Sequence, residues 1–133
     1  MKMDIDCIRD ILLQAEQEGF TILRDSEDYL VENNFEELTS KFSFVEKYDS
    51  EKLLYHIELA DEFGLIKATH CIGFSSVLDL SAQGHLFLAD IRDDKVWKKT
   101  KEISKKLGVA SLSTVKEIAT NVISNLIVNY FQR

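Results

Sequence analysis

At 133 residues, with 45% apolar and 29% charged side chains, the chain has one domain's length and enough apolar material for a core without a disulfide or metal staple, which excludes disordered and collagenous classes. No apolar run approaches the roughly 18 residues that cross a bilayer, and the opening Met1-Lys2-Met3-Asp4-Ile5-Asp6 puts acids where a secretory signal wants bases, so a cytoplasmic protein without membrane contact is expected. The net charge of −7 opposes phosphate binding on average, yet residues 1–64 hold six Lys/Arg against seventeen Asp/Glu (−11) and residues 65–133 ten against six (+4).

In chain order, Asp4 is positioned to cap a helix to about Glu18, with Ile5, Ile8, Ile11, Leu12 and Ala15 as its apolar stripe. Phe20 and Ile22 suggest a short strand. Between Asp25 and Tyr48, Phe35, Leu38 and Phe42 suggest a helix from near Asn34, with Phe44 and Val45 extended. Asp49 or Ser50 caps a helix through Phe63, with Leu53, Leu54, Ile57 and Ala60 inward. Leu65–Thr69 and Val77–Leu80, joined by a loop containing Gly73, read as a hairpin. Ser81 caps the next helix, to about Arg92. Asp93 or Asp94 opens another, whose Lys105 and Lys106 suit its negative C-terminal end. The last helix starts at Ser111 or Ser113. Gly19, Gly64 and Gly108 each close a helical stretch, where a left-handed residue is easiest for glycine. No repeat or linker interrupts the chain.

This order, helix, helix, helix, hairpin, helix, predicts a mainly α protein with a small β hairpin: a winged helix-turn-helix with additional C-terminal helices. A single domain over 1–133 is expected, its winged-helix core at about 4–92 and a helical extension at about 93–133. Tyr55 to Ile66 (YHIELADEFGLI) resembles the recognition helix and first wing strand of bacterial winged-helix regulators, and Leu80-Ser81-Ala82-Gln83-Gly84-His85 the junction after their wing. Tyr55-His56 with Gly64-Leu65-Ile66, followed by Gly84 to Lys99 (GHLFLADIRDDKVWKK), is similar to a family of small bacterial and phage proteins known as domain of unknown function 2513. That resemblance implies a winged-helix-like fold and a prophage or mobile-element origin, and no particular activity.

Two helices offer candidate nucleic-acid contacts. In the recognition helix, Lys52, Tyr55 and His56, with Leu59, are placed to face a groove. However, residues 49–62 hold five acids and one lysine (−4), which repels the flanking phosphates, and Tyr55 and His56 equally suit packing on neighbouring helices. Residues 95–106 hold six lysines and one glutamate (+5). There Val96, Thr100, Ile103 and Leu107 recur at core spacing, leaving Lys95, Lys98, Lys99, Lys101, Lys105 and Lys106 to solvent with Trp97 beside them. Those lysines suit a phosphate backbone, an acidic partner, or an ordinary solvated face.

Other clusters lack the spacing their chemistry requires. Asp90, Asp93 and Asp94, with Arg92 and His85, invite a magnesium site, but Asp90 and Asp94 share a face only if one helix continues through both, and capping with an Arg92 ion pair explains them better. His70-Cys71, with Cys7 and His85 elsewhere, lacks the paired short spacing of zinc ligands, and two cysteines are too few for a disulfide framework. No nucleophile elbow, phosphate loop or dinucleotide motif is present, so neither catalysis nor a cofactor is implied. Finally, residues 112–131 hold more apolar side chains than one stripe needs. Ile123, Ile127 and Phe131 lie off the main stripe, and a homodimer through them is expected. Two readings follow: a DNA-binding or regulatory winged-helix protein, or the same fold turned to protein partners.

Overall fold

A computed structural model describes residues 1–24, 47–108 and 111–132. The helix and strand expected between Asn34 and Val45 lie outside the described residues. Among those described, five helices and a three-stranded antiparallel sheet make the chain mainly helical: α1 (Ile5–Gln17), β1 (Phe20–Leu23), α2 (Ser50–Glu62), β2 (Ile66–Cys71), β3 (Phe74–Leu80), α3 (Ala82–Ile91), α4 (Asp94–Leu107) and α5 (Leu112–Phe131). No described helix is long and apolar enough to cross a membrane. The residues group into two compact units, 1–85 and 86–133, with the boundary inside α3.

In the first unit, α1 begins where the Asp4 carboxylate accepts the Asp6 and Cys7 amides, satisfying donors that a helix start leaves free. Its stripe of Cys7, Ile8, Ile11, Leu12 and Ala15 is buried, as are Leu53, Leu54, Ile57 and Ala60 of α2. The α2 N-cap is Asp49, which accepts the Lys52 amide. The expected hairpin is present as β2–β3, and it is not alone: β1 pairs with β3, giving the order β1-β3-β2. The register sets Phe20 against Val77 and Leu23 against Phe74. On the other edge, Lys67 pairs with Asp79 and Ala68 with Val77, so Leu78 is the extra residue of a bulge and turns outward, 63% exposed.

Ser81 accepts the Gly84 amide on Oγ (3.0 Å) and donates its hydroxyl to the Gly64 carbonyl. It caps α3 and ties that helix's start to the end of α2. Gly64 and Gly108 adopt the left-handed conformation expected of them, at φ 72° and 67°. Gly19 does not. It is needed for space, since a Cβ there would lie 2.8 Å from the Val77 carbonyl oxygen.

In the second unit, Asp93 caps α4 by accepting the Lys95 and Val96 amides. Helices α4 and α5 pack together through Val96, Ile118 and Val122, flanked by Ile103 and Ile123. Because α4 ends at Leu107 and α5 begins at Leu112, while Val96 near the other end of α4 meets Ile118 and Val122, the two run antiparallel. The buried face of α4 differs from the expected one. Val96, Trp97, Thr100 and Ser104 are inside, whereas Leu107 is 67% exposed. Trp97 thus belongs to the core, with the Lys101 ammonium 5.9 Å from its ring centroid. Thr100 and Ser104 remain inside because each hydroxyl donates to the carbonyl four residues back, Val96 and Thr100, at 2.8 Å.

Candidate interaction surfaces

The helix expected over residues 49–63 is α2, and its three candidate contacts are differently placed. His56 is fully buried, which corrects its placement toward a groove. Its Nε2 lies 2.8 Å from the Asp4 amide nitrogen and its Nδ1 2.7 Å from the Lys52 carbonyl oxygen. An amide can only donate and a carbonyl can only accept, so the proton sits on Nδ1 and the tautomer is fixed. The residue joins α1 to α2.

Lys52 is half-buried and its ammonium donates to the Asp4 carboxylate at 2.8 Å. Burial alone would raise the Asp4 carboxyl, but the hydrogen bond and charge of Lys52, with the Cys7 and Asp6 amides, hold it below its ordinary value. The same hydrogen bond raises the Lys52 ammonium. Nearby, burial first and the Asp4 charge second push the Cys7 thiol up to about 12. Tyr48 donates its phenol to Asp10 at 2.7 Å and Lys47 donates to the same oxygen at 3.0 Å. Burial, then that bond, raises the Tyr48 phenol. Tyr55, half-buried and edge-on to the His56 ring, lines a hollow of about 490 Å³ with Glu51 and Glu58. The outward face of α2 is therefore anionic.

A further chain of contacts escaped the sequence reading. His70 Nε2 lies 2.7 Å from the Asp61 carboxylate and its Nδ1 3.0 Å from Ser75 Oγ. Asp, His and Ser in this order resemble a hydrolase relay. Yet Ser75 is 5% exposed and is the register partner of His70 across the β2–β3 ladder. A nucleophile needs an approach that this burial denies, so the contacts fasten the end of α2 to the hairpin. Alternation along β2 sends Cys71 to the opposite face, where it is exposed, while Cys7 is buried in α1. Among the described residues, no three His, Cys, Asp or Glu converge on a metal position.

In the second unit, Lys95, Lys98, Lys99, Lys105 and Lys106 are exposed and Lys101 half-buried. They form the basic face that their spacing predicts. Beside it, a groove of about 870 Å³ runs between α4 and α5, walled by Lys95, Lys99 and Ile103 on one side and Ile123, Ile127 and Phe131 on the other. Ile123 is half-buried against its own unit's Val96 cluster, so it is not the free interface residue expected of it. Ile127 and Phe131 are 51% and 78% exposed, with Leu126, Val128 and Tyr130 exposed around them. Helix α5 has 20 residues and α4 has 14, so the last turns of α5 face the start of α4 only across the groove and bury little against it.

The chain is 33% identical over 136 residues to an "Uncharacterized protein" of Haemophilus influenzae (strain ATCC 51907 / DSM 11121 / KW20 / Rd), covering 96% of this chain and 99% of the relative. That coverage takes in most of α5. No solved structure matches. The sequence profile of the family described as Hypothetical protein (DUF2513) matches residues 2–110, from α1 through α4. By that match and that relative, the chain belongs to the DUF2513 family.

Proposed function

We propose that this chain is a non-catalytic docking module, a winged-helix-like body that works through protein contacts made by its α4–α5 pair. The observation that carries this reading is the exposed apolar end of α5 beside the lysine-walled groove: Leu126, Ile127, Val128, Tyr130 and Phe131 are all exposed, together at the upper limit of what a monomer normally leaves bare. The state of α2 supports the same choice over base reading. Its Lys52 is tied to Asp4 and its His56 is buried, while Glu51, Glu58 and Glu62 face outward and would repel a duplex.

A second reading, contact with a DNA backbone in a bacterial or prophage regulator, is favoured by the exposed lysines of α4. Anisotropy of a labelled duplex at low salt separates the two. The docking reading expects no binding at micromolar protein. Micromolar binding with a steep salt slope, lost in a Lys98→Glu/Lys99→Glu/Lys105→Glu variant, establishes the second reading in its place.

A further inference from the structure

We infer that the α4–α5 groove is filled by the end of α5 from a second copy of this chain, which pairs with its mate about a twofold axis. This inference rests on the docking reading above and names its partner. Three observations point to a second copy rather than to an unrelated segment.

The first is area. The five exposed side chains of Leu126, Ile127, Val128, Tyr130 and Phe131 range from 49% to 78% exposed. They offer on the order of 600 Å² per copy, or about 1,200 Å² for a pair, which reaches the size of specific, stable interfaces.

The second is shape. One copy presents a projecting helix end and, directly beside it, a groove of about 870 Å³ partly walled by the same residues. Projection and groove on one surface are what a twofold contact requires, where residue i meets j and j meets i. An α5 end laid into the mate's groove covers both patches at once, whereas an unrelated peptide fills the groove and leaves the projection bare.

The third is charge. From Ile118 to Gln132 the chain holds no charged residue, so two α5 helices approach without like-charge opposition along their contact. Lys95 and Lys99 line the groove and are exposed, and a lysine stem can cover apolar surface while its ammonium stays in water. Asn125 and Asn129 also line the groove. One helical turn apart, these neutral hydrogen-bonding groups can meet their counterparts across the axis and fix register, as a buried asparagine does in a coiled coil.

The test is light scattering on the full chain from about 1 to 100 µM, with hydrogen exchange over residues 126–131. The chain weighs 15.3 kDa, so a pair weighs twice that. The inference expects the doubled mass at tens of micromolar, with protection of residues 126–131 rising with concentration. The Ile127→Ser/Phe131→Ser variant alters side chains that point away from its own unit's core. It should fold as the parent does, by circular dichroism, and dissociate at least 100-fold more readily. A parent that stays monomeric at 100 µM overturns the inference, as does a folded variant that remains paired. An apolar dye then distinguishes the two failures. A monomer that binds the dye, and loses it in the variant, keeps the groove open to another partner; a monomer that binds none removes the docking reading too.

Discussion

Gly84 provides the sharpest test of how the first unit is built. It lies in the first turn of α3, where helix propensity alone makes Gly84→Ala stabilising by about 1 kcal/mol. The packing reverses that sign. A Cβ on Gly84 would stand 1.9 Å from the Leu65 carbonyl oxygen and 2.9 Å from the carbonyl carbon, inside the contact distance of any pair of atoms. Leu65 has little freedom to retreat: its carbonyl accepts the Ser81 amide at 3.0 Å and its own amide donates to Ala60 at 2.9 Å. The helix is held in turn by the Gly84 amide on Ser81 Oγ. Relieving the clash means moving α3 by more than an ångström and breaking that cap. Overpacking against fixed backbone costs about 3 kcal/mol, and the lost cap about 1 kcal/mol more, so about 3 kcal/mol remains after the propensity gain. For a domain of this size that lowers Tm by roughly 10 °C. Urea unfolding followed by far-ultraviolet circular dichroism measures it, with Gly108→Ala as the reference. Gly108 has φ 67° and nothing within 4 Å of a built Cβ, so its alanine bears only left-handed strain, roughly 1 kcal/mol. A Gly84→Ala protein as stable as the parent, or more stable than Gly108→Ala, would refute the close approach of α3 to Leu65.

Two further outcomes are expected. In native protein at pH 8 a thiol reagent should titrate one cysteine rapidly, the exposed Cys71, and reach the buried Cys7, whose thiol is pushed up to about 12, only after denaturant is added; two rapid thiols would contradict the packing of α1. Asp4 is held below its ordinary value in the folded chain, so its contribution to stability is complete above about pH 4 and is lost as pH falls through the folded value. Asp4→Asn keeps a capping oxygen but lacks this titration, and its unfolding midpoint should fall less than the parent's between pH 7 and pH 3. Equal losses in both proteins would count against the Asp4–Lys52 pair.

The helix starts at Asp4, Asp49, Ser81 and Asp93 were legible because capping is local: an oxygen-bearing side chain, amides two or three residues on, and an apolar period after it. The partner of β1 was not legible. Strand Phe20–Leu23 reads as extended by itself, but its pairing with β3 spans more than fifty residues of chain, and nothing within four residues encodes it. The inner face of α4 was misjudged for a different reason. Apolar periodicity assigns Leu107 inward and passes over Ser104, yet Ser104 satisfies its hydroxyl within its own helix and so can be buried. With Trp97 also inside, the buried stripe turns toward residues 97 and 104, and Leu107 is carried out into solvent.

The candidate surfaces divide along the same line. The lysines of α4 could be read from sequence because charge resists burial, and all but the half-buried Lys101 are exposed. His56 could not, since a histidine serves equally at a groove or in a core; what decides is an amide at Asp4, fifty-two positions away, that meets its Nε2. The apolar excess of α5 was visible in the sequence, but its distribution was not. Ile123 packs against the Val96 cluster, whereas Ile127 and Phe131 only wall the groove and stay exposed. Two residues of identical type, one turn apart, thus differ in role because one packs against the neighbouring helix and the other only borders the groove between them. That is also why the proposed pairing is tested at Ile127 and Phe131 and not at Ile123, whose loss would loosen the helix pair itself.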